Sequence, residues 1–78
     1  MQLDIISPDK QIFSGKATYV SVPGKDGSLG ILNNHAPMIS ALTKGGILVR
    51  KEGGEEQTIE VNGGVIEVLK NKVIILAE

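Results

Sequence analysis

Apolar and polar residues alternate through most of the chain, and each apolar run is ended by glycine, proline, asparagine, aspartate or lysine. Period-two alternation bounded by such residues predicts short β-strands with one face toward a core and the other toward water. Nine segments fit: 2–7 (QLDIIS), 11–15 (QIFSG), 17–22 (ATYVSV), 29–32 (LGIL), 38–42 (MISAL), 47–51 (ILVRK), 57–61 (QTIEV), 65–69 (VIEVL) and 72–77 (KVIILA). In the third, Thr18, Val20 and Val22 fall on one face. The last four flank two short turns, at EGGE and at Lys70–Asn71, and predict a meander. Gly63 and Gly64 mark a bend or bulge. No stretch carries a 3.6-residue apolar period, so the pattern is all-β: nine or ten short strands in a sandwich or flattened barrel.

Composition sharpens this. Ten isoleucines and seven valines favour strands, and 78 residues allow one domain, spanning 1–78, with a single core. At this size burial and conformational entropy nearly cancel, so something must add stability. With no cysteine and one histidine, neither a disulfide nor a structural zinc can. Tight sheet packing or a bound partner remains. The 8 basic and 9 acidic residues form no stripe for phosphate, and one Phe and one Tyr make no stacking platform, which argues against nucleic acid. The longest wholly apolar run, 73–77, is far short of the roughly 20 residues that span a bilayer, and no basic leader precedes it. The expectation is a chain without direct membrane insertion.

Several residues invite a chemical reading. His35 with Ser28 or Ser40 could suggest a triad, but no G-x-S-x-G elbow is present, and the histidine reads as a turn or interface residue. Asn33 and Asn34 are poor company for a metal-binding imidazole. Gly24, Gly27 and Gly30 near Lys25 resemble a phosphate loop, yet LGIL continues as strand where a helix N-terminus would be needed. Glu52, Glu55, Glu56 and Glu60 flank a hairpin and read as a solvated edge. Lys70 and Lys72 beside a hairpin turn allow an alternative, a biotinyl or lipoyl carrier domain with a modified lysine. The flanks EVLKNKVI lack the Met-Lys-Met and Asp-Lys-Ala surroundings of those carriers. No catalytic residue, cofactor or metal is expected.

Three separated blocks, LDIISPDKQIFSG, GSLGILNNHAPMISAL and VNGGVIEVLKNKVIILAE, together give a resemblance to the epsilon subunit of F-type ATP synthase, called delta in mitochondria. The resemblance covers nearly the whole chain. It implies a ten-stranded β-sandwich of two five-stranded sheets. It also implies a non-catalytic rotor subunit in the central stalk, coupling the gamma subunit to the c ring during proton-driven ATP synthesis. The implied location is peripheral, on the cytoplasmic face of the bacterial plasma membrane as part of F1.

By the same resemblance, Gly24, Lys25, Asp26, Gly27, Ser28 and Leu29 face the c ring, while Ser7, His35, Met38 and Ser40 face gamma. Relatives often have Pro-Gly where Asn33 and Asn34 stand here, and both asparagines tolerate left-handed turn geometry. Ser28 occupies a position often held by glutamate, which weakens a charge-based account of ring contact. Typical members continue past ILAE into a helical hairpin that can restrain ATP hydrolysis, and that hairpin is absent from these 78 residues. If 78 is the natural length, no inhibitory arm is expected; in a fragment it has been cut away.

Overall fold

A computed structural model describes residues 1–78 and contains eight strands. They are β1 (Gln2–Ile6), β2 (Gln11–Gly24), β3 (Gly27–Leu32), β4 (Met38–Leu42), β5 (Gly45–Lys51), β6 (Glu56–Val61), β7 (Gly64–Leu69) and β8 (Lys72–Ala77). The second is 14 residues long. Drawn straight at about 3.3 Å per residue it would reach roughly 46 Å, whereas the longest dimension of the molecule is 27 Å. The strand therefore bends, and its two halves serve different sheets. Residues 11–16 pair with β1; from Ala17 onward β2 pairs with β5, and from Tyr19 with β3 as well.

Two layers result. Sheet I runs β4-β7-β8-β1-β2, using the first half of β2, with β1 and β8 parallel and the other pairs antiparallel. Sheet II runs β3-β2-β5-β6, using the second half. Counting each half of β2, this is five strands facing four. The sandwich is as expected, but the ten-strand, five-plus-five count is corrected to eight continuous strands. The segments read as two strands at 11–15 and 17–22 are one chain turning a corner.

The corner is a register shift between Ala17 and Tyr19 against β5. A bulge of this kind sharpens twist and lets a strand change sheets. It also changes which residues face inward. Ala17, Val20 and Val22 are buried, while Thr18 is half-buried with its hydroxyl 3.4 Å from the Arg50 carbonyl. The expected inward set of Thr18, Val20 and Val22 is thus corrected at its first member.

The predicted meander is also corrected. β5 pairs with β6, and β7 with β8, but β6 and β7 lie in different sheets. Two residues, Asn62 and Gly63, make the crossing, and Gly63 and Gly64 take φ of 138° and 143° there. Glycine occupies that backbone region almost alone. The β7–β8 turn uses Lys70 and Asn71 at φ 51° and 58°, the paired left-handed geometry of a two-residue hairpin matched to strand twist.

Between the sheets lies one core of 16 buried apolar residues, among them Leu3, Ile5, Val20, Ile47, Ile66 and Ile75. No polar or charged residue is buried with them, and no buried side-chain nitrogen or oxygen lacks a partner. Tight sheet packing is thus one of the two stabilising devices the composition called for.

Candidate functional site

No chemical site assembles around His35. It follows Asn34, whose φ of 63° turns the chain from β3 toward β4, and its Nδ1 lies 2.7 Å from the Ala36 carbonyl. Of the two asparagines expected to tolerate left-handed geometry, Asn34 alone adopts it. Its N–H donates to Asn71 Oδ1 at 2.8 Å, tying this corner to the β7–β8 turn. Ser40 Oγ donates to the neighbouring Ala41 carbonyl at 3.3 Å, and Ser28 pairs in strand register with Pro23, so neither serine is hydrogen-bonded to the imidazole. No group of three His, Cys, Asp or Glu side chains comes together in metal-binding fashion.

The glutamates behave as the edge reading requires. Arg50 Nε meets Glu56 Oε2 at 3.0 Å and Lys51 Nζ meets Glu55 Oε1 at 3.2 Å, both across the β5–β6 hairpin. Arg50 also lies over the Tyr19 ring, 5.1 Å from its centre. Exposed pairs of this kind contribute little stability and mainly keep the free edge at β6 hydrated.

Residues 24–29 form the tip between β2 and β3. Lys25, Asp26, Gly27 and Ser28 are exposed; Gly24 is buried, and Leu29 is half-buried against the core. The tip is pinned to β4 by Lys25 N–H to Ala41 O at 3.1 Å and Thr43 N–H to Pro23 O at 2.8 Å. It is a projection at the end of the sandwich whose base also holds the 62–63 crossing, since Gly24 pairs with Leu42 and Leu42 with Gly64.

Of the other four residues singled out, three follow one path: His35 at the corner, then Met38 and Ser40 on β4, the edge strand of sheet I. Register places Met38 beside Val68 and Ser40 beside Ile66, both buried, so Met38 and Ser40 face inward and are half-buried. Ser7 lies away from them, beyond Ile6, in the β1–β2 turn, where its hydroxyl donates to Lys10 O at 3.1 Å. These four do not form one cluster.

A separate surface, on the opposite side of β4 from Met38 and Ser40, was missed by reading residue by residue. On the outer side of sheet I, register aligns Ile39, Glu67, Ile74 and Asp4 in one row, and Ala41, Val65, Leu76 and Ile6 in the next. Leu69 lies one step beyond on the same side. Six large apolar residues of the protein are exposed, and all but Leu32 belong to this face; Ile39 is 71 % exposed and Leu76 54 %. Shallow grooves lie at its two ends, one beside Leu69 and Ile74, the other beside Ile6, Pro8 and Leu76. Single exposed apolar residues are ordinary, but a set this close, interrupted by Glu67 and bordered by Asp4, Lys70 and Lys72, is the kind of surface that a partner covers.

The signal for this face was present in the sequence. The run 73–77 is apolar at five successive positions, and in a strand such a run must show apolar groups on both sides. Lys70 does sit at a hairpin tip, but the two lysines border the apolar face with no further carrier feature around them.

Comparison with known proteins agrees with this architecture. One solved chain of the same fold belongs to the Euglena gracilis mitochondrial ATP synthase, in a cryo-EM structure of OSCP, F1 and c-ring in rotational state 1. It superposes with a TM-score of 0.87 at 23 % identity, over 96 % of this chain and 48 % of that one. A chain from the central stalk and c-ring of the Tetrahymena thermophila mitochondrial ATP synthase superposes with a TM-score of 0.81 at 20 % identity, over 99 % of this chain and 62 % of that one. The present chain therefore spans about half to three fifths of the length of these two neighbours. The family described as ATP synthase, Delta/Epsilon chain, beta-sandwich domain matches residues 1–78. By that match the chain belongs to the delta/epsilon family of ATP synthase subunits and comprises its β-sandwich domain.

Proposed function

We propose that the chain is a non-catalytic part of the rotor of a proton-translocating ATP synthase, joining the gamma subunit to the c ring as a peripheral component of F1. The observation that carries this reading is the apolar outer face of sheet I on a chain of the delta/epsilon family. Gamma sits across that face and reaches His35, with Ser7 at its far margin and Met38 and Ser40 at the β4 edge. The tip bearing Lys25, Asp26, Gly27 and Ser28 meets the c ring, with Gly24 and Leu29 shaping it from beneath. The neighbours' membership of central-stalk and c-ring assemblies supports these partners.

The mechanical task is to pass torque without internal slip, and the construction suits it. Two sheets joined only by side-chain packing could shear. Here β2 is covalently common to both, and the Pro23–Thr43 and Lys25–Ala41 backbone bonds clamp β2 to β4 across the layers. Sliding one sheet would break both of these bonds together. Rotation of the ring is then transmitted to gamma as rotation of a rigid body.

The test is capture: purified gamma and c ring should retain the chain at low salt, and failure of both to do so overturns the reading. His35→Ala should leave the denaturation midpoint nearly unchanged while weakening gamma binding about tenfold. If the variant unfolds, and its folded fraction binds gamma as the parent does, His35 is a structural residue and the contact assigned to it is wrong.

A further inference from the structure

We infer that Asn62 is a site of spontaneous deamidation in the folded protein, through a cyclic imide formed with Gly63. Asn62 is exposed and outside any strand, and its side chain makes no hydrogen bond to the protein. The Gly63 N–H donates to no backbone carbonyl, so the nitrogen that must react is not held in a ladder, although Gly63 itself is buried beside Glu78. Glycine at this position has no Cβ to shield that nitrogen from the preceding side chain.

The other asparagines differ. Asn33 Oδ1 accepts from the Met1 amine, and Asn71 Oδ1 accepts from the Asn34 N–H. The Asn34 side chain is free, but the next residue is His35, whose Cβ and ring crowd the approach to its backbone nitrogen. Only Asn62 combines a free amide with a following glycine. Asparagine is among the thermolabile side chains for this reason.

The chemistry needs nothing beyond water and base. Hydroxide removes the Gly63 amide proton, the nitrogen attacks Asn62 Cγ, and the C–N bond to the side-chain amide breaks as ammonia leaves. Water then adds to either imide carbonyl. Opening on one side yields aspartate at this position; opening on the other routes the main chain through the former side-chain carbon and gives isoaspartate. One water is consumed and one ammonia released.

The second product matters to the fold because this crossing has no slack. Only two residues link β6 to β7, and Gly63 O accepts from the Glu78 N–H at 3.1 Å. An added main-chain methylene must displace that bond or the Gly64 pairing beside it. Either product also places a carboxylate near that of Glu78, which lies beside Gly63.

The experiment incubates the protein, native and in guanidinium chloride, at neutral and mildly alkaline pH, and follows each asparagine by peptide mapping and isoaspartate-specific methylation. Asn62 should be modified first, in proportion to hydroxide concentration, and in the native protein at a measurable rate that is slower than in the unfolded chain, because Gly63 is buried in a short crossing. Asn62→Gln should abolish the signal without moving the denaturation midpoint. Earlier modification of Asn34 or Asn71, or an unmodified Asn62 in the native protein after the unfolded chain has reacted fully, overturns the inference.

Discussion

Gly64→Ala is expected to destabilise the fold by about 3 kcal/mol or more, combining backbone strain with steric overlap. At φ 143° an L-residue is strained whatever space surrounds it, and here there is none. A Cβ would fall inside contact distance of the Leu76 carbonyl oxygen and 3.1 Å from Ala77 Cα. Both are backbone atoms of β8, a strand held by β7 on one side and β1 on the other, so neither can withdraw without breaking ladder bonds. A domain of this length has only about 4 to 12 kcal/mol in total, so much of its stability goes with one methyl group. Urea denaturation measures this against Gly53→Ala. Gly53 has open space around it and lies outside the positive-φ set, so that variant should stay within about 0.5 kcal/mol of the parent. A Gly64→Ala midpoint equal to the parent's would mean that the 62–64 crossing is not the tight joint described.

This joint also shows why parts of the architecture were legible in the sequence and others not. The strands could be read because side chains alternate with period two, and because Pro8, Gly53–Gly54 and Lys70–Asn71 interrupt them with recognisable turn chemistry. Pairing was less legible. A two-residue link with glycine serves equally for a hairpin or for a crossing between layers, and only the packing of Val61 and Ile66 into a common core from opposite sheets decides it. The continuity of β2 was hidden because a bulge at Ala17–Tyr19 needs no glycine or proline, and Gly15 beside it reads as a stop. The apolar outer face was legible only in part, through the run 73–77. Ile39, Val65, Leu69 and Leu76 come from three strands, and nothing in their local spacing says that register will make them neighbours.

That face carries the second large effect. Ile39→Lys combined with Leu76→Lys is expected to weaken gamma binding about a hundredfold while leaving the free domain folded. Both side chains already stand mostly in water, so exchanging them removes little buried apolar area. A lysine at 39 would also stand directly opposite Glu67, in the arrangement that stabilises cross-strand pairs. In the complex the same amines would lie under the partner, where an unpaired charge is far more expensive than at a hydrated surface. Glu67 constrains the partner in the same way. It is flanked in register by Ile39 and Ile74 and forms no ion pair within the chain, so a gamma subunit docked as proposed would have to pair or hydrogen-bond that carboxylate, and a basic group is the partner to be tested. Glu67→Gln should accordingly flatten the salt dependence of binding. Thr58→Lys, on the exposed β6 edge strand of sheet II, is the control and should bind gamma as the parent does. Titration of gamma against each variant, with far-UV dichroism to confirm the sheet, separates the cases. Full affinity in the double variant, or loss of affinity in Thr58→Lys alone, would move the gamma contact to the other side of the sandwich.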